Sequence, residues 1–361
     1  MNYKRLLFLW LIIVMFSGGI RAQTYADRIV RNFVISTKST VEVNNKYGKV
    51  HIRTWDKDSV RFEVDLNIRT SSDDKLKKLK NQISFDFTNT NYYIIASTKF
   101  TKSGGIFSEM VETIVPSNEV TINYTVYIPK TATLKIDNKF GDVFIDDFVG
   151  SIGLTLSNGN LKANYLQGNT SIKLISADGI INRIDKGKIE VSYSDLEIKN
   201  AGGIDFDSRS SVVTVNSAQN LKIASRRDKY IIDEVLRISG EGDFTTVKIS
   251  KLIQELNIAL KYGGLSIDEI TSKFSLINIG SAYTDLDLVF DKNASFNLDI
   301  THYTDVRLTY PSNISSLKTQ DFNADEKLLL TYGPVGNNVT QTSPKVKILA
   351  EKKCYINILY R

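Results

Sequence analysis

The chain has 361 residues, about twice the usual size of one domain, and its formal net charge is +6. Hydrophobic residues make up 42% of the chain and charged residues 24%, which excludes a disordered protein. The single cysteine excludes a disulfide framework and a cysteine metal cluster.

Residues 1–22 have the pattern of a cleaved secretory signal. Lys4 and Arg5 precede an apolar run that is too short to span a bilayer. We therefore predict cleavage after Ala22 and an exported protein with no integral membrane segment; an uncleaved anchor is the alternative. Without the three basic residues of this leader, 43 basic residues face 40 acidic ones. With a net charge of only +3, we predict that the protein does not bind nucleic acid.

Residues 23–130 are predicted to form an irregular β region with one short helix. Strand patterns longer than those of the following repeats cover four segments, namely 59–69, 82–88, 91–97 and 120–128. At about 73–83, the residues Leu76, Leu79 and Ile83 share one helical face. This helix either packs on the edge of the sheet or, with its lysines, lies on a membrane surface. Residues 101–119 are predicted to form a loop or loose hairpin.

Residues 131–310 repeat a short pattern of an aromatic, a small residue, any residue, an aliphatic, any residue and an aliphatic. The pattern reads FGDVFI at 140–145 and YGGLSI at 262–267, and it occurs once earlier, as YGKVHI at 47–52. Its first aliphatic recurs every 16 to 21 residues, at Val143, Leu161, Ile180, Leu196, Val213, Ile231, Val247, Leu265, Leu286 and Val306. Such short units with alternating polarity predict the coils of a β-solenoid.

The predicted fold is all-β, a single right-handed parallel β-solenoid with about 16–21 residues per coil. Val143 and Ile145 should point inward, and Asp142 and Phe144 outward. The small residue after the aromatic should mark a bend. The aromatics should stack along one edge as a ladder; a platform for sugar rings is the alternative.

Residues 311–361 are predicted to supply the C-terminal coils and a cap. Residues 311–345 are rich in loop-forming residues, and 346–349 and 355–359 are predicted closing strands. Cys354 lies between these strands, and we predict that it is a buried or half-buried packing residue.

Catalytic motifs are absent from the sequence, and we predict no catalytic, cofactor-binding or metal-binding residues. Both histidines, His51 and His302, fall at predicted outward positions. The remaining candidates for a surface ligand site are five carboxylates: Asp142, Asp146, Asp195, Asp285 and Asp305. Asp285 and Asp305 are predicted to lie on successive coils, where two carboxylates could hold a cation. The simpler interpretation is that this repeat position favours an acidic residue that forms turns.

The block VTINYTVYIPKTATLKIDNKFGDVFIDDF at 120–148 resembles the opening of the "putative adhesin" domains of exported Gram-negative proteins, including the auto-transporter adhesin head, or GIN-type, domains. VEVNNKYGKVHIRTW at 41–55 is similar to the same opening. The resemblance extends from about residue 30 to the end of the chain. It implies a β-solenoid, export, and a location in the periplasm or on the cell surface. It implies no particular ligand and no activity.

These observations predict an exported, non-enzymatic protein with an adhesin-like binding or structural role at the cell envelope. Its partner would be an envelope protein or a glycan. The alternative is a polysaccharide-active β-helix enzyme that uses surface carboxylates. An enzyme should gather its acids in one cleft, whereas a binding scaffold should spread them along one face.

Overall fold

The computed structural model describes residues 23–36, 39–101, 119–311 and 316–361, so the predicted leader and most of the predicted loop at 101–119 lie outside the described residues. Within these ranges the chain is a β-solenoid, as predicted, with 25 strands and one helix. The N-terminal elements are β1 (Gln23–Val34), β2 (Thr40–Lys46), β3 (Val50–Trp55), β4 (Ser59–Thr70), α1 (Asp73–Gln82), β5 (Ile83–Asn89), β6 (Tyr93–Phe100) and β7 (Val120–Pro129).

The remaining strands form the regular coils and the C-terminal region. The first set is β8 (Thr133–Lys139), β9 (Val143–Ile145), β10 (Ile152–Ser157), β11 (Asn160–Ile175), β12 (Asp178–Ser192), β13 (Asp195–Arg209), β14 (Val212–Arg226), β15 (Lys229–Asp243) and β16 (Thr246–Lys261). The second set is β17 (Gly264–Ile270), β18 (Leu276–Ala282), β19 (Asp285–Phe290), β20 (Phe296–Tyr303), β21 (Arg307–Thr309), β22 (Lys318–Asn323), β23 (Leu328–Val335), β24 (Lys345–Glu351) and β25 (Tyr355–Tyr360).

Each coil contributes one strand segment to each of two parallel ladders of strands. Face A contains β6, β2, β8, β10, the second halves of β11 to β16, β18, β24 and β20. Face B contains β7, β3, β9, the first halves of β11 to β16, β17, β19, β25 and β21. The inward-facing aliphatic residues of both faces form one continuous core. Val143 and Ile145 belong to it, as predicted, at 0% and 3% exposure.

The corner before face B explains why the sequence NK, an aromatic and glycine recurs. The aromatic residue itself carries the left-handed backbone, with φ of 56° at Phe140. Gly141 is needed for a different reason: a Cβ on it would lie 2.0 Å from the carbonyl oxygen of Gly48 in the neighbouring coil. The buried Asn138 amide donates to the carbonyl oxygens of Gly48 and Gly141 at 3.1 and 2.8 Å. The prediction that the small residue makes the bend is therefore wrong by one position.

Because non-glycine residues are strained in the left-handed region, Ser176→Gly is expected to stabilise the protein by about 0.5–1 kcal/mol. Ser176 is exposed, and its φ is 49°. The matched control is Ser171→Gly, at an exposed position inside β11, which should cost a similar amount. Urea unfolding of both variants checks this prediction. Equal midpoints for the two variants would contradict the assignment of corner strain to Ser176.

The inward row of face B is displaced by one residue in two coils. Gly179 and Tyr230, rather than Ile180 and Ile231, align with Leu196 and with Val213 and Val247, respectively. Ile180 and Ile231, which the periodic series counts as equivalent to the inward Val143, therefore do not point inward: Ile180 is 42% exposed. The displacement arises because both coils carry an aliphatic residue on the outer surface, directly after the residue that points inward. The aliphatic pattern of the sequence therefore marks the wrong residue in these two coils.

The stacking order of coils departs from the sequence order at both ends of the solenoid. The coil of β2 and β3 lies between the coil of β6 and β7 and the coil of β8 and β9. The coil of β24 and β25 lies between the coil of β18 and β19 and the coil of β20 and β21. The two predicted closing strands are strands, but they are inserted into the stack and do not close it. The buried position predicted for Cys354 is confirmed, at 3% exposure.

Antiparallel strands cover the ends of the stack. At the N-terminal end, β4 and β1 extend face B, and β5 pairs with β6. Helix α1 confirms the predicted helix; its Leu79 is buried, and Ser72 Oγ accepts the Lys75 N–H at its N-terminus. At the C-terminal end, β23 and β22 extend face A beyond β20. The structure therefore supports the interpretation of α1 as a packed helix.

Candidate functional site

Four successive coils place short polar side chains in one row on the outer surface of face B. The row consists of Asp142, Asn160, Asp178 and Asp195, in register across β9 and the first halves of β11, β12 and β13. These four residues occupy the same repeat position: each is the first residue after the corner that leads into face B. Two carboxylates of the row accept a backbone N–H from the next coil: Asp142 from Asn160 at 3.1 Å, and Asp178 from Asp195 at 3.0 Å.

These hydrogen bonds give the repeated aspartate a structural role. A carboxylate that accepts a backbone N–H satisfies a donor at the start of each new strand segment. Asp285 does the same for the Tyr355 N–H at 3.1 Å. The simpler interpretation of the sequence, a turn-forming acid at this position, describes Asp142 and Asp285 well.

The row lines a shallow open depression of about 500 Å³ that we call the acidic groove. Besides the four residues of the row, its outer-surface lining includes Phe144, Lys162, Ile180 and Glu197. Four carboxylates thus face one ammonium group, and Ile180 adds an exposed apolar surface.

Asp195 and Glu197 differ from the other acids of the groove. Among the described residues, neither carboxylate has a hydrogen-bond or ion-pair partner within the protein, in contrast to Asp142 and Asp178. Both side chains leave face B on its outer surface in the coil of β13. They are the carboxylates of the groove that remain free to accept hydrogen bonds from a ligand.

The other predicted carboxylates lie elsewhere. Asp146 is 3.7 Å from His51 Nε2, at the far end of β9. Asp285 shares the row of Asp195 but lies five coils away, roughly 24 Å at the usual spacing of strands. Asp305 lies in an exposed turn before β21. The structure brings together Asp142 and Asp195 alone of the five predicted residues.

Two details of the predicted site are wrong. Asp285 and Asp305 are not on successive coils, because β25 lies between β19 and β21. His302 points inward and is 6% exposed, because it aligns through Ala350 with the inward residue Ser281. Its Nε2 lies 3.0 Å from Thr331 Oγ1. Within the ranges that the structure describes, no three His, Cys, Asp or Glu side chains form a metal site.

The corner aromatics form the predicted ladder in two places. Tyr47 and Phe140 stack with ring centroids 5.5 Å apart. Phe244, Tyr262 and Tyr283 stack at 5.0 Å between successive rings, with interplanar angles of 16° and 17°. In these stacks each ring has at least one face covered by a neighbouring ring, and Tyr262 has both faces covered.

Tyr193 is the exception among the corner aromatics. Its corner neighbours on either side are Ser176 and Ser210, which are too small to cover its ring. The side chain is 59% exposed, and it precedes Asp195 by two residues. Sequence reasoning missed this site because the open ring faces depend on the residues of two other coils. Sequence reasoning also missed Asp178, although this residue occupies the same repeat position as Asp142 and Asp195 and was predictable on that ground.

No family model matches the chain, and no curated protein matches it. Among solved structures, the chain is similar to a protein of Clostridium sporogenes described as a putative cell adhesion protein, with 10% identity, a TM-score of 0.23 and coverage of 93% of this chain and 100% of the other. It is also similar to a putative adhesin of Parabacteroides distasonis, with 11% identity, a TM-score of 0.35 and coverage of 73% and 97%. A third similar protein is a putative adhesin of Bacteroides fragilis, with 11% identity, a TM-score of 0.28 and coverage of 93% and 97%.

At such identities and scores, this likeness says nothing about what the chain binds. Among the described residues, no helix has both the length and the apolar character needed to cross a bilayer.

Proposed function

We propose that the protein is exported and has a non-enzymatic, adhesin-like binding role at the cell envelope of a Gram-negative bacterium, with a neutral glycan as its ligand. The basic and apolar leader at 1–22 and the resemblance of 120–148 to adhesin domains support export. The acidic groove together with Tyr193 would be the ligand site. Periplasm and outer surface are both compatible with this role.

The observation that carries the proposal is the exposed, unstacked ring of Tyr193 at the corner of the same coil, two residues before the free carboxylate of Asp195. The faces of an aromatic ring carry partial negative charge and attract the C–H groups of a sugar ring. Carboxylates accept hydrogen bonds from sugar hydroxyls, and these charge-assisted bonds are the stronger ones. The same negative charge would repel anionic glycans, so the site favours neutral ones.

An enzyme that cleaves polysaccharides would need paired acids in one cleft. Asp146, Asp285 and Asp305 lie away from the acidic groove, and Asp142 already accepts a backbone N–H and the Asn160 side-chain amide. The free pair that remains in the groove, Asp195 and Glu197, lies in a shallow open depression rather than in a cleft, and polar groups on such an open face fit binding better than cleavage.

Tyr193→Ala is expected to weaken the binding of a neutral glycan by about threefold to tenfold, the worth of one aromatic contact. Asp195→Asn should weaken it by about tenfold, because it removes a charge-assisted acceptor. A glycan array with residues 23–361 would identify the ligand, and calorimetry would give the affinities of the variants.

The matched control is Tyr262→Ala. Tyr262 occupies the same corner position, but both of its ring faces are covered by Phe244 and Tyr283. It should leave glycan affinity unchanged. Equal losses for Tyr193→Ala and Tyr262→Ala would contradict the site, and a parent protein that binds no glycan would contradict the ligand class.

A further inference from the structure

The inserted coil of β24 and β25 fills a slot between two coils that the chain forms earlier in its sequence. On face A, β24 pairs with β18 on one side and with β20 on the other, in register throughout. On face B, β25 pairs in the same way with β19 and β21. All four flanking strands therefore have one backbone edge that only this C-terminal segment satisfies.

The segment also completes the core at this level. Its inward residues are at most 2% exposed: Val346, Ile348, Ala350, Ile356 and Ile358. Removing the segment from the slot would expose these side chains together with the facing residues of both neighbouring coils. Exposed strand edges above and below an apolar interior form a strong template for pairing with another chain.

Side-chain contacts make the slot specific for this segment. Asp285 accepts the Tyr355 N–H at 3.1 Å, and the Asn357 amide donates to Asp287 at 3.2 Å. Inside, Cys354 Sγ lies 3.4 Å from Ser281 Oγ. A strand of different sequence would lose these contacts, although it could still form the backbone hydrogen bonds.

The connection to the rest of the chain leaves this segment exchangeable. Residues 336–344 lie between β23 and β24, and most of them are exposed. Few hydrogen bonds tether the connection to β20: the side-chain amide of Asn297 donates to Thr340 O at 2.7 Å, and its backbone N–H donates to Pro344 O at 2.9 Å. A self-contained element on an exposed connection can leave its own slot and enter an identical one.

We propose that the slot is a binding site for the β24–β25 segment of a second copy of this chain, so that the protein assembles by exchange of its C-terminal coil. Every contact named above between the β24–β25 segment and the slot is reproduced when the segment comes from another copy. Exchange in both directions gives a closed dimer, and exchange in one direction gives an open chain of copies.

The test uses residues 23–361 with a protease site in place of residues 337–342, cut after folding. A labelled peptide of residues 345–361 is then added at urea concentrations below the unfolding transition. We expect the labelled peptide to enter the slot and release the cut segment, at one peptide per chain. A control peptide with Ile348→Asp and Ile356→Asp should enter at least about tenfold less, because it buries two charges.

The second arm tests the source of the segment. The uncut chain is refolded at increasing protein concentration and then diluted, and the dimer fraction is measured by sedimentation. We expect dimers that rise with the refolding concentration and persist after dilution. No peptide uptake, or equal uptake of the control peptide, would overturn the binding site. Peptide uptake with monomers at every concentration would overturn the second copy as the partner.

Discussion

Replacing Val143 by aspartate is expected to lower the free energy of unfolding by at least about 4 kcal/mol and to unfold the surrounding coils. Val143 is 0% exposed. Its backbone lies in register between Val50 and Leu161, both of which are fully buried or nearly so. A carboxylate at this level is surrounded by aliphatic side chains, so it must either lose its hydration as an anion or take up a proton.

The matched control is Ser171→Asp, on the outer surface of face A two coils further along. Ser171 is exposed and aligns with Gly153 and Lys188, so a carboxylate there stays hydrated near an ammonium group. The control should change the free energy of unfolding by less than about 0.5 kcal/mol. Urea unfolding followed by circular dichroism measures both variants. A Val143→Asp midpoint equal to that of the control would contradict the inward assignment.

The sequence predicts the core well because burial leaves a direct mark on it. A position that is inward in every coil must be apolar in almost every coil, and this produces the observed period. The same logic explains the errors at Ile180 and Ile231. Where the outer surface carries an aliphatic residue next to a glycine or tyrosine, polarity no longer identifies the inward position, and only the register of neighbouring coils does.

The order of the coils could not be predicted in the same way. Backbone hydrogen bonds hold neighbouring coils together, and they are the same for every sequence. The strands at 346–349 and 355–359 were predictable from their alternating polarity, but their neighbours were not. Tyr283 and Tyr303 read as successive repeats, yet β24 and β25 lie between their coils.

The candidate site shows the same division. Asp142 and Asp195 were predictable because the acidic residue recurs at one repeat position. The combination of Tyr193 with free carboxylates was not, since it depends on the small size of Ser176 and Ser210 and on which acids already accept a backbone N–H. The size of the neighbouring residues and the hydrogen bonds of the acids both depend on adjacent coils, so the sequence of a single repeat does not predict them.

A buried carboxylate, Asp228, organises the polar part of the core. It is 5% exposed and occupies the corner position that other coils fill with glycine, alanine, serine, threonine or cysteine. Its Oδ1 accepts the Ser211 N–H at 2.8 Å. Its Oδ2 accepts the hydroxyls of Ser208 and Ser225 at 2.7 and 2.6 Å and the Arg226 N–H at 2.9 Å.

Ser208 extends this network to a buried phenol. Its hydroxyl lies 2.6 Å from Tyr230 Oη. Burial raises the pKa of Tyr230 well above its usual range, so the phenol stays neutral and remains available as a donor or acceptor. The network therefore holds three neighbouring coils in register through side chains that all have partners.

Asp228→Ala is expected to cost about 3 kcal/mol, because it leaves the buried Ser211 N–H and the partly buried Arg226 N–H without their acceptor, and a fully buried N–H without an acceptor costs about 1–3 kcal/mol. The hydroxyls of Ser208 and Ser225 lose less, since they keep Tyr230 and Thr245 as partners. The urea midpoint of the variant measures this loss.

Asp228→Ser separates the two backbone donors. In the preceding coil, Ser211 Oγ accepts the Ser194 N–H at 3.3 Å, so a serine at 228 can accept the Ser211 N–H in the same way. It cannot reach the Arg226 N–H as the longer carboxylate does, and we expect about half of the loss seen with alanine.

The free energies of unfolding should therefore fall in the order aspartate, serine, alanine. An alanine variant as stable as the parent would show that these N–H groups find other acceptors, and a serine variant no better than alanine would show that the Ser211 donor does not matter. The ordered series would establish that a carboxylate, rather than any small polar residue, locks the register of the central coils.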